Sequence, residues 1–284
     1  MLNMSQNPFS PVLFLSHGGG PMPLLGDASH QKLIQFTQEI TQTFTKPSAI
    51  LVISAHWEED QPTITSAAFP SLIYDYNGFP KQAYEIKYPI SGEPVLASKV
   101  FNLLNSAGIA AKLDNQRGFD HGVFVPLKLM YPQADIPCVQ LSLVNNLQPQ
   151  QHIQIGKALA ELRKENVLII GSGFTFHNMR AFFAPATKES QAMNMAFEQW
   201  LVDTCARTQY TETEREQRLI DWESAPAARY CHPREEHLLP LLVCYGVAGA
   251  AAKQVFELEI LSKMSSAYIW QSIQSSHALP KCDV

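Results

Sequence analysis

The chain has few charges, few cysteines and no long apolar run, and each shortage removes a class of function. Charged residues make up 17% of the 284 positions, with 21 basic against 26 acidic side chains and a net charge of −5. That balance argues against a nucleic-acid partner, which would need a basic stripe. No stretch of about 18 apolar residues exists, so no spanning helix and no membrane partner are expected. Met1 to Pro11 has neither the basic nor the apolar region of a secretory signal. The five cysteines (Cys138, Cys205, Cys231, Cys244 and Cys282) are odd in number and form no CxxC pair. They fit reduced thiols in a cytosol-like compartment better than a disulfide framework or a cysteine–zinc site. The expectation is a cytoplasmic, globular protein.

What is present is an alternation. Apolar runs of strand length, "PVLFLSH", "AILVISAHW" (Ala49 to Trp57), "IPCVQLSL" and "VLIIGSGFTFH", are separated by segments of helical period. The helical segments are Gln31 to Phe44, a stretch from Pro94 closed by Gly108, "QHIQIGKALAELRKEN", Glu189 to Arg207, and Pro233 to Gly246. "QVFELEI" and "AYIWQSI" add late strands. Alternation of this type predicts a three-layer α/β/α architecture with a central, mainly parallel or mixed sheet. No repeat, low-complexity segment or linker interrupts residues 1–284, which are expected to form a single domain. Gln61 to Glu93 lacks clear periodicity and contains "YDYNGFPKQAYEIKYP". Its aromatics argue against disorder and leave a packed surface loop or a lid or wall of a pocket.

"LFLSHGGGPMP" (Leu13 to Pro23) could cradle a phosphate or present a metal ligand. The phosphate reading fails, because no GK[ST] follows, GxGxxG is absent, and Pro21 and Pro23 interrupt any helix start. A serine-hydrolase reading fails for lack of GxSxG.

Nine histidines are present. His17, His56 and His177 each follow an apolar strand, and ligands in open α/β sheets bind beyond the carboxyl ends of strands. Burying imidazoles together is costly unless something binds them, and a divalent metal is the simplest partner. His232 and His237 are five apart, so a helix would hold them about 140° from each other and only one faces the site. His237 is the inward candidate, with His232 a surface or capping residue. His121 follows Asp120, which could orient its ring. His30, His152 and His277 sit on polar or helical surfaces and support no functional role.

Taken together, "LSHGGGPMPLL", "VISAHWEE", "GFDHGVFVPLKLMYPQADIPCVQLSL", "GSGFTFHNMR" and "HPREEHLLPLL" resemble the extradiol ring-cleavage dioxygenases of the LigB-like superfamily, and within it the 4,5-DOPA dioxygenase extradiol group. The resemblance runs from Leu15 to about Leu242. It implies an α/β/α fold and an Fe(II)-dependent enzyme that opens a catechol ring with O2, with Zn(II) able to occupy the site. Carried over by position, His17 and His56 match two metal ligands, and His237 falls where the broader superfamily has its carboxylate ligand. Glu236 is the fallback carboxylate. His177 matches the acid–base histidine, and in the DOPA branch it is a possible fourth ligand. His121 matches a histidine near the substrate.

Three histidines and an open position also describe a zinc hydrolase, with Glu58, Glu59 or Glu236 as general base. A metal-binding module without catalysis is a third reading. Under the dioxygenase reading, Gly18 to Gly20 would keep side chains out of the space needed by a planar ring and dioxygen.

Overall fold

The structure is a computed structural model and describes residues 9–271. His277 and Cys282 lie outside the described residues.

The strands are β1 (Val12–Ser16), β2 (Ala49–Glu59), β3 (Thr63–Thr65), β4 (Lys112–Asp114), β5 (Cys138–Val144), β6 (Val167–Gly173), β7 (Gln254–Ile260) and β8 (Lys263–Ile269). The continuous apolar runs become the central strands β1, β5 and β6 and the first half of β2, buried on both faces, while edge strands such as β4 and β7 are partly exposed. Among the described residues the strands form one sheet in the order β4-β3-β5-β2-β6-β1-β8-β7. β5, β2, β6 and β1 run parallel, while β8 turns antiparallel to β1 and pairs with β7 as a hairpin. The sheet is therefore mixed and mainly parallel at its centre, as the alternation predicts. β3 and β4 escaped the sequence reading because three residues carry no measurable period.

The helices are α1 (Gln31–Ile40), α2 (Pro94–Ser106), α3 (His121–Met130), α4 (Pro149–Ala158), α5 (Met179–Phe183), α6 (Lys188–Ala206), α7 (Glu212–Ile220), α8 (Ala228–Cys231) and α9 (Leu239–Ala248). Two of them show how the layers stack. A side chain on Gly171 or Gly173 of β6 would strike Pro240 or His237, at the start of α9. The intervening Ser172 reaches the other way, donating its hydroxyl to the Gly122 carbonyl of α3 at 2.5 Å. Alternate residues of a strand face opposite sides, so α9 and α3 cover opposite faces of the sheet.

One helix boundary differs from expectation in a way that matters for the site. The segment expected to be helical from Pro233 becomes a string of turns, and the helix begins at Leu239 with Pro240 in its first turn. A proline deeper in a helix would clash with the preceding turn, so Pro240 moves the start downstream. That leaves Arg234 to His237 in a loop, where the 140° rule for His232 and His237 does not apply.

Candidate metal centre and its surroundings

His17 directly follows β1, and its backbone N–H still pairs with Gly173 of β6 at 3.3 Å. His56 lies inside β2, where the pairing with β5 shifts register between Ile53 and Glu58. Irregularities of this kind re-aim side chains next to functional sites. His237 belongs to the loop before α9, whose carbonyl accepts from Phe174 N–H at 3.0 Å. The three imidazoles meet at the carboxyl ends of β1 and β6, beside the register break of β2. His56 Nε2 stands 3.0 Å from His17 Nε2 and 3.3 Å from His237 Nε2.

The outer nitrogens of the same rings face acceptors. His17 Nδ1 donates to Ser172 Oγ at 3.1 Å, and His237 Nδ1 to Glu236 Oε1 at 2.9 Å. His56 Nδ1 lies 3.5 Å from Asp75 Oδ2. With protons on Nδ1, three Nε2 lone pairs point at one another. Burial, reinforced by the neighbouring imidazoles, holds His17, His56 and His237 well below the ordinary histidine value, so none is charged near neutral pH. Converging lone pairs repel unless a cation lies between them. Nitrogen ligands about 2.0–2.1 Å from a tetrahedral metal sit roughly 3.3 Å apart, which these separations match. The donor set fits a divalent metal.

Two more histidines flank this set. His177 lies four residues beyond β6, on a loop rather than at the strand end itself. Its ring stacks on His237 with 3.4 Å between centroids and 17° between planes. Its Nδ1 is 3.1 Å from the same Glu236 Oε1 that holds His237. Burial pushes the Glu236 carboxyl up, but the bond and charge of His177 and the charge of Arg234 together bring it below its usual value. Glu236 thus sits on the outer nitrogens of two histidines, not among the converging Nε2 atoms. His121 opens α3, and its ring centroid is 3.9 Å from that of His56.

Asp120 does not orient His121, contrary to the sequence reading. Its carboxylate turns below the site to Ser54 Oγ at 2.8 Å, Arg117 at 3.2 Å and the side-chain amide of Gln140. The orienting group is Asp75. Its Oδ1 accepts from His121 Nδ1 at 2.8 Å and from the His121 backbone N–H at 3.0 Å. Burial acts to raise Asp75, but the hydrogen bond and charge of His121 and the charge of His56 outweigh it, leaving the carboxyl below its usual value. Asp75 lies in the aromatic loop, 46 residues before His121, so adjacency in sequence pointed to the wrong acid. Ser172 was also missed, since a serine inside an apolar strand carries no distinctive signal.

That loop forms a wall of the site. Tyr76 has its ring centroid 5.6 Å from that of His121 and 5.5 Å from that of Phe79. The glycines after His17 play a different part from the one expected. A side chain on Gly18, whose φ is +84°, would come within 2.6 Å of Pro23 and 2.9 Å of His30. On Gly19 it would meet Met22 and Leu261 at 3.1 Å, and on Gly20 (φ +58°) Phe79 at 3.3 Å. Their space is filled by the protein's own packing rather than held open.

Three other histidines are structural, and all three correct the expectation of a surface position. His30 is buried, accepts the Gly19 N–H at 2.9 Å and is held by Asp27, so it braces the glycine turn. His152 is buried between the Val144 N–H and the Gln148 carbonyl. His232, expected at the surface or as a cap, is buried and bonded to the Thr175 carbonyl at 2.8 Å.

Residues 9–269 match the family model described as the catalytic LigB subunit of aromatic ring-opening dioxygenase. The chain belongs to this family. It is an extradiol aromatic ring-opening dioxygenase. Dioxygenase tasH of Hapsidospora irregularis is 41% identical over 264 residues, covering 86% of this chain and 80% of that protein. The 4,5-DOPA dioxygenase extradiol of Beta vulgaris is 38% identical over 251 residues, 88% of this chain and 91% of its own. A crystal structure of an uncharacterized protein from Escherichia coli K12 superposes with a TM-score of 0.73 at 29% identity, covering 92% of this chain and 99% of that one. The family uses a non-haem metal, and His17, His56 and His237 form a group that could hold such an ion. No helix among the described residues is long and apolar enough to cross a membrane.

Proposed function

We propose that His17, His56 and His237 hold one divalent metal, Fe(II) in the active enzyme, and that the pocket opens a catechol ring of the DOPA type beside its hydroxyls. The reaction consumes O2 and yields a muconate-semialdehyde-type product. The observation that carries the metal assignment is the division of roles within each imidazole. Every outer nitrogen has an oxygen facing it and every inner nitrogen converges on one point. Such outer partners fix ring orientation and raise ligand basicity.

The metal would supply Lewis acidity toward the catechol hydroxyls and an electron route to dioxygen. The chain supplies proton transfer and placement. His177, with Nδ1 on Glu236, presents Nε2 as a base beside the His237 ring, and it takes a hydroxyl proton and returns it when the ring opens. His121, with Nδ1 on Asp75, presents a second basic nitrogen. Tyr76 and Phe79 form an aromatic wall suited to a flat substrate. Three neutral imidazoles with no ligating carboxylate also suit zinc, so Zn(II) is expected to fill the site without supporting oxygen consumption.

The hydrolase reading has its three candidate bases engaged elsewhere: Glu58 is paired with Arg234 at 2.6 Å, Glu59 accepts from Trp57 Nε1 at 2.8 Å, and Glu236 is held on Nδ1 of His237 and His177 at 2.9 and 3.1 Å. The relatives named 4,5-DOPA dioxygenase extradiol support a DOPA-like catechol. The test is to reconstitute the protein with Fe(II) under anaerobic conditions and mix it with L-DOPA and simpler catechols in air. Oxygen uptake with a yellow ring-opened product is expected. No uptake with any catechol, alongside zinc-dependent ester cleavage, would overturn the reading.

A further inference from the structure

We propose that Asp75 is a positioning residue that fixes the ring tautomer of His121 and steadies His56, so that docking of the aromatic loop is a condition for a working site. The loop is tied to the rest of the fold away from the histidines, by the Ile73 N–H on the Phe119 carbonyl at 2.8 Å and by the Tyr88 hydroxyl on the Leu127 and Tyr131 carbonyls at 3.0 and 2.9 Å. Its other tyrosines add internal anchors. Tyr74 donates its hydroxyl to the Ile86 carbonyl at 2.6 Å, and Tyr76 to the Ala83 carbonyl at 2.6 Å. The rings of Tyr74 and Tyr76 lean on Phe124 of α3. These contacts shape the loop and lay it against the helix without touching the polar atoms of the histidines. Asp75 does touch them, from a position between the two tyrosines.

The geometry determines what the carboxylate can do. An ionised carboxylate only accepts, so the 2.8 Å contact requires a proton on His121 Nδ1 and leaves Nε2 with its lone pair. The same oxygen takes the backbone N–H of His121 at 3.0 Å, which pins the first residue of α3 and the ring by one atom. The second oxygen faces His56 Nδ1 at 3.5 Å. Glu236 repeats this relation across the site, joining His237 to His177. Each carboxylate therefore couples one member of the converging triad to one flanking histidine. The two differ in origin: Glu236 adjoins His237 in sequence, whereas Asp75 arrives on a separate segment. Ring order at His121 and His56 thus depends on where the loop sits.

Asp75→Asn keeps the size of the side chain and adds an N–H donor, which removes the demand for Nδ1–H. The test uses the full chain, zinc-loaded and labelled with 15N-histidine, and reads ring tautomers from multiple-bond 1H–15N spectra. His121 is assigned by the signals lost in His121→Gln. The parent is expected to show His121 as the Nδ1–H tautomer, and Asp75→Asn to show Nε2–H or a mixture with zinc stoichiometry unchanged. In the Fe(II) enzyme the same variant is expected to lose about 10²–10⁴ in kcat while KM moves less than threefold.

An unchanged His121 tautomer in Asp75→Asn overturns the proposal, as does a kcat within threefold of the parent. The kinetic arm rests on the proposed catechol chemistry, but the tautomer arm does not. If the parent consumes no oxygen, that chemistry falls while the spectra still decide the role of Asp75. Should Asp75→Asn fail to fold, Asp75→Glu replaces it. Retention of Nδ1–H with a partly restored kcat supports the proposal, and the opposite tautomer with full kcat overturns it.

Discussion

At the residue scale, all five histidines of the site spend Nδ1 on an oxygen, and their division of labour follows from whose Nε2 joins the converging set. His237 and His177 share Glu236, yet His237 contributes Nε2 to the converging triad and His177 lies stacked beside it. Two substitutions separate these roles. His237→Ala is expected to weaken metal binding by more than about 100-fold, measured by metal analysis after equilibrium dialysis, because a ligand counts for at least as much as an outer partner. His177→Ala is expected to keep its metal and lose roughly 10²–10⁴ in turnover. Loss of metal in that variant would make His177 a fourth ligand, and full activity would remove it from the reaction. The histidines themselves were legible in sequence, since each follows an apolar strand or sits in a family-like motif. Their oxygen partners were less so. Glu236 adjoins its histidine, but Asp75 and Ser172 reach theirs across the fold, and nothing local marks such a contact.

Among the elements, the chain turn after β1 is where the sequence reading was most altered. Gly18 to Gly20 looked like a clearing for substrate, and they prove to be a tightly packed bend braced by His30. Gly18→Val is therefore expected to destabilise the fold by about 1–3 kcal/mol through its left-handed backbone alone, with steric contact against Pro23 adding to it. Urea unfolding of the metal-free protein checks this; an unchanged midpoint would return the glycines to a role in substrate space. Long strands and helices were readable because burial on two faces writes a continuous apolar run and burial on one side writes a 3.6-residue period. The break in β2 around His56 and the late start of α9 were not readable. The first depends on pairing with β5, and the second on Pro240 overruling an apolar pattern that continues through it.

For the whole molecule, stability against pH reports on groups away from the site. Glu198 in α6 is fully buried, and burial pushes it up to about 8 against hydrogen bonds from Thr175 and Ser266. The folded chain keeps this proton where an unfolded chain, with a carboxyl value of about 4.3, has lost it. Its favourable contribution is thus complete below about pH 4.3 and is lost as the pH rises through about 8. Glu198→Gln is expected to gain on the parent by up to about 1.4 kcal/mol per pH unit across that window. Urea titrations at pH 5, 6.5 and 8 give the difference, and a constant gap would contradict the burial argument. Removing the metal should act on the molecule as a whole as well. Chelation is expected to lower Tm by several degrees, because a ligand bound only to the folded state stabilises it by mass action. The architecture could be read from the order of strands and helices alone, since alternation confines the chain to few topologies. The mixed edge formed by β7 and β8 could not, because hairpin and crossover strands look alike in sequence.

The central claim is that three neutral imidazoles, without a carboxylate, make up the protein's share of the metal shell. Metal-edge X-ray absorption on the Fe(II)-loaded protein tests it most directly. The expected spectrum contains three imidazole ligands at about 2.0–2.2 Å, falling to two in His237→Ala. A shell with fewer than three imidazoles in the parent, or one unchanged by His237→Ala, would contradict the account.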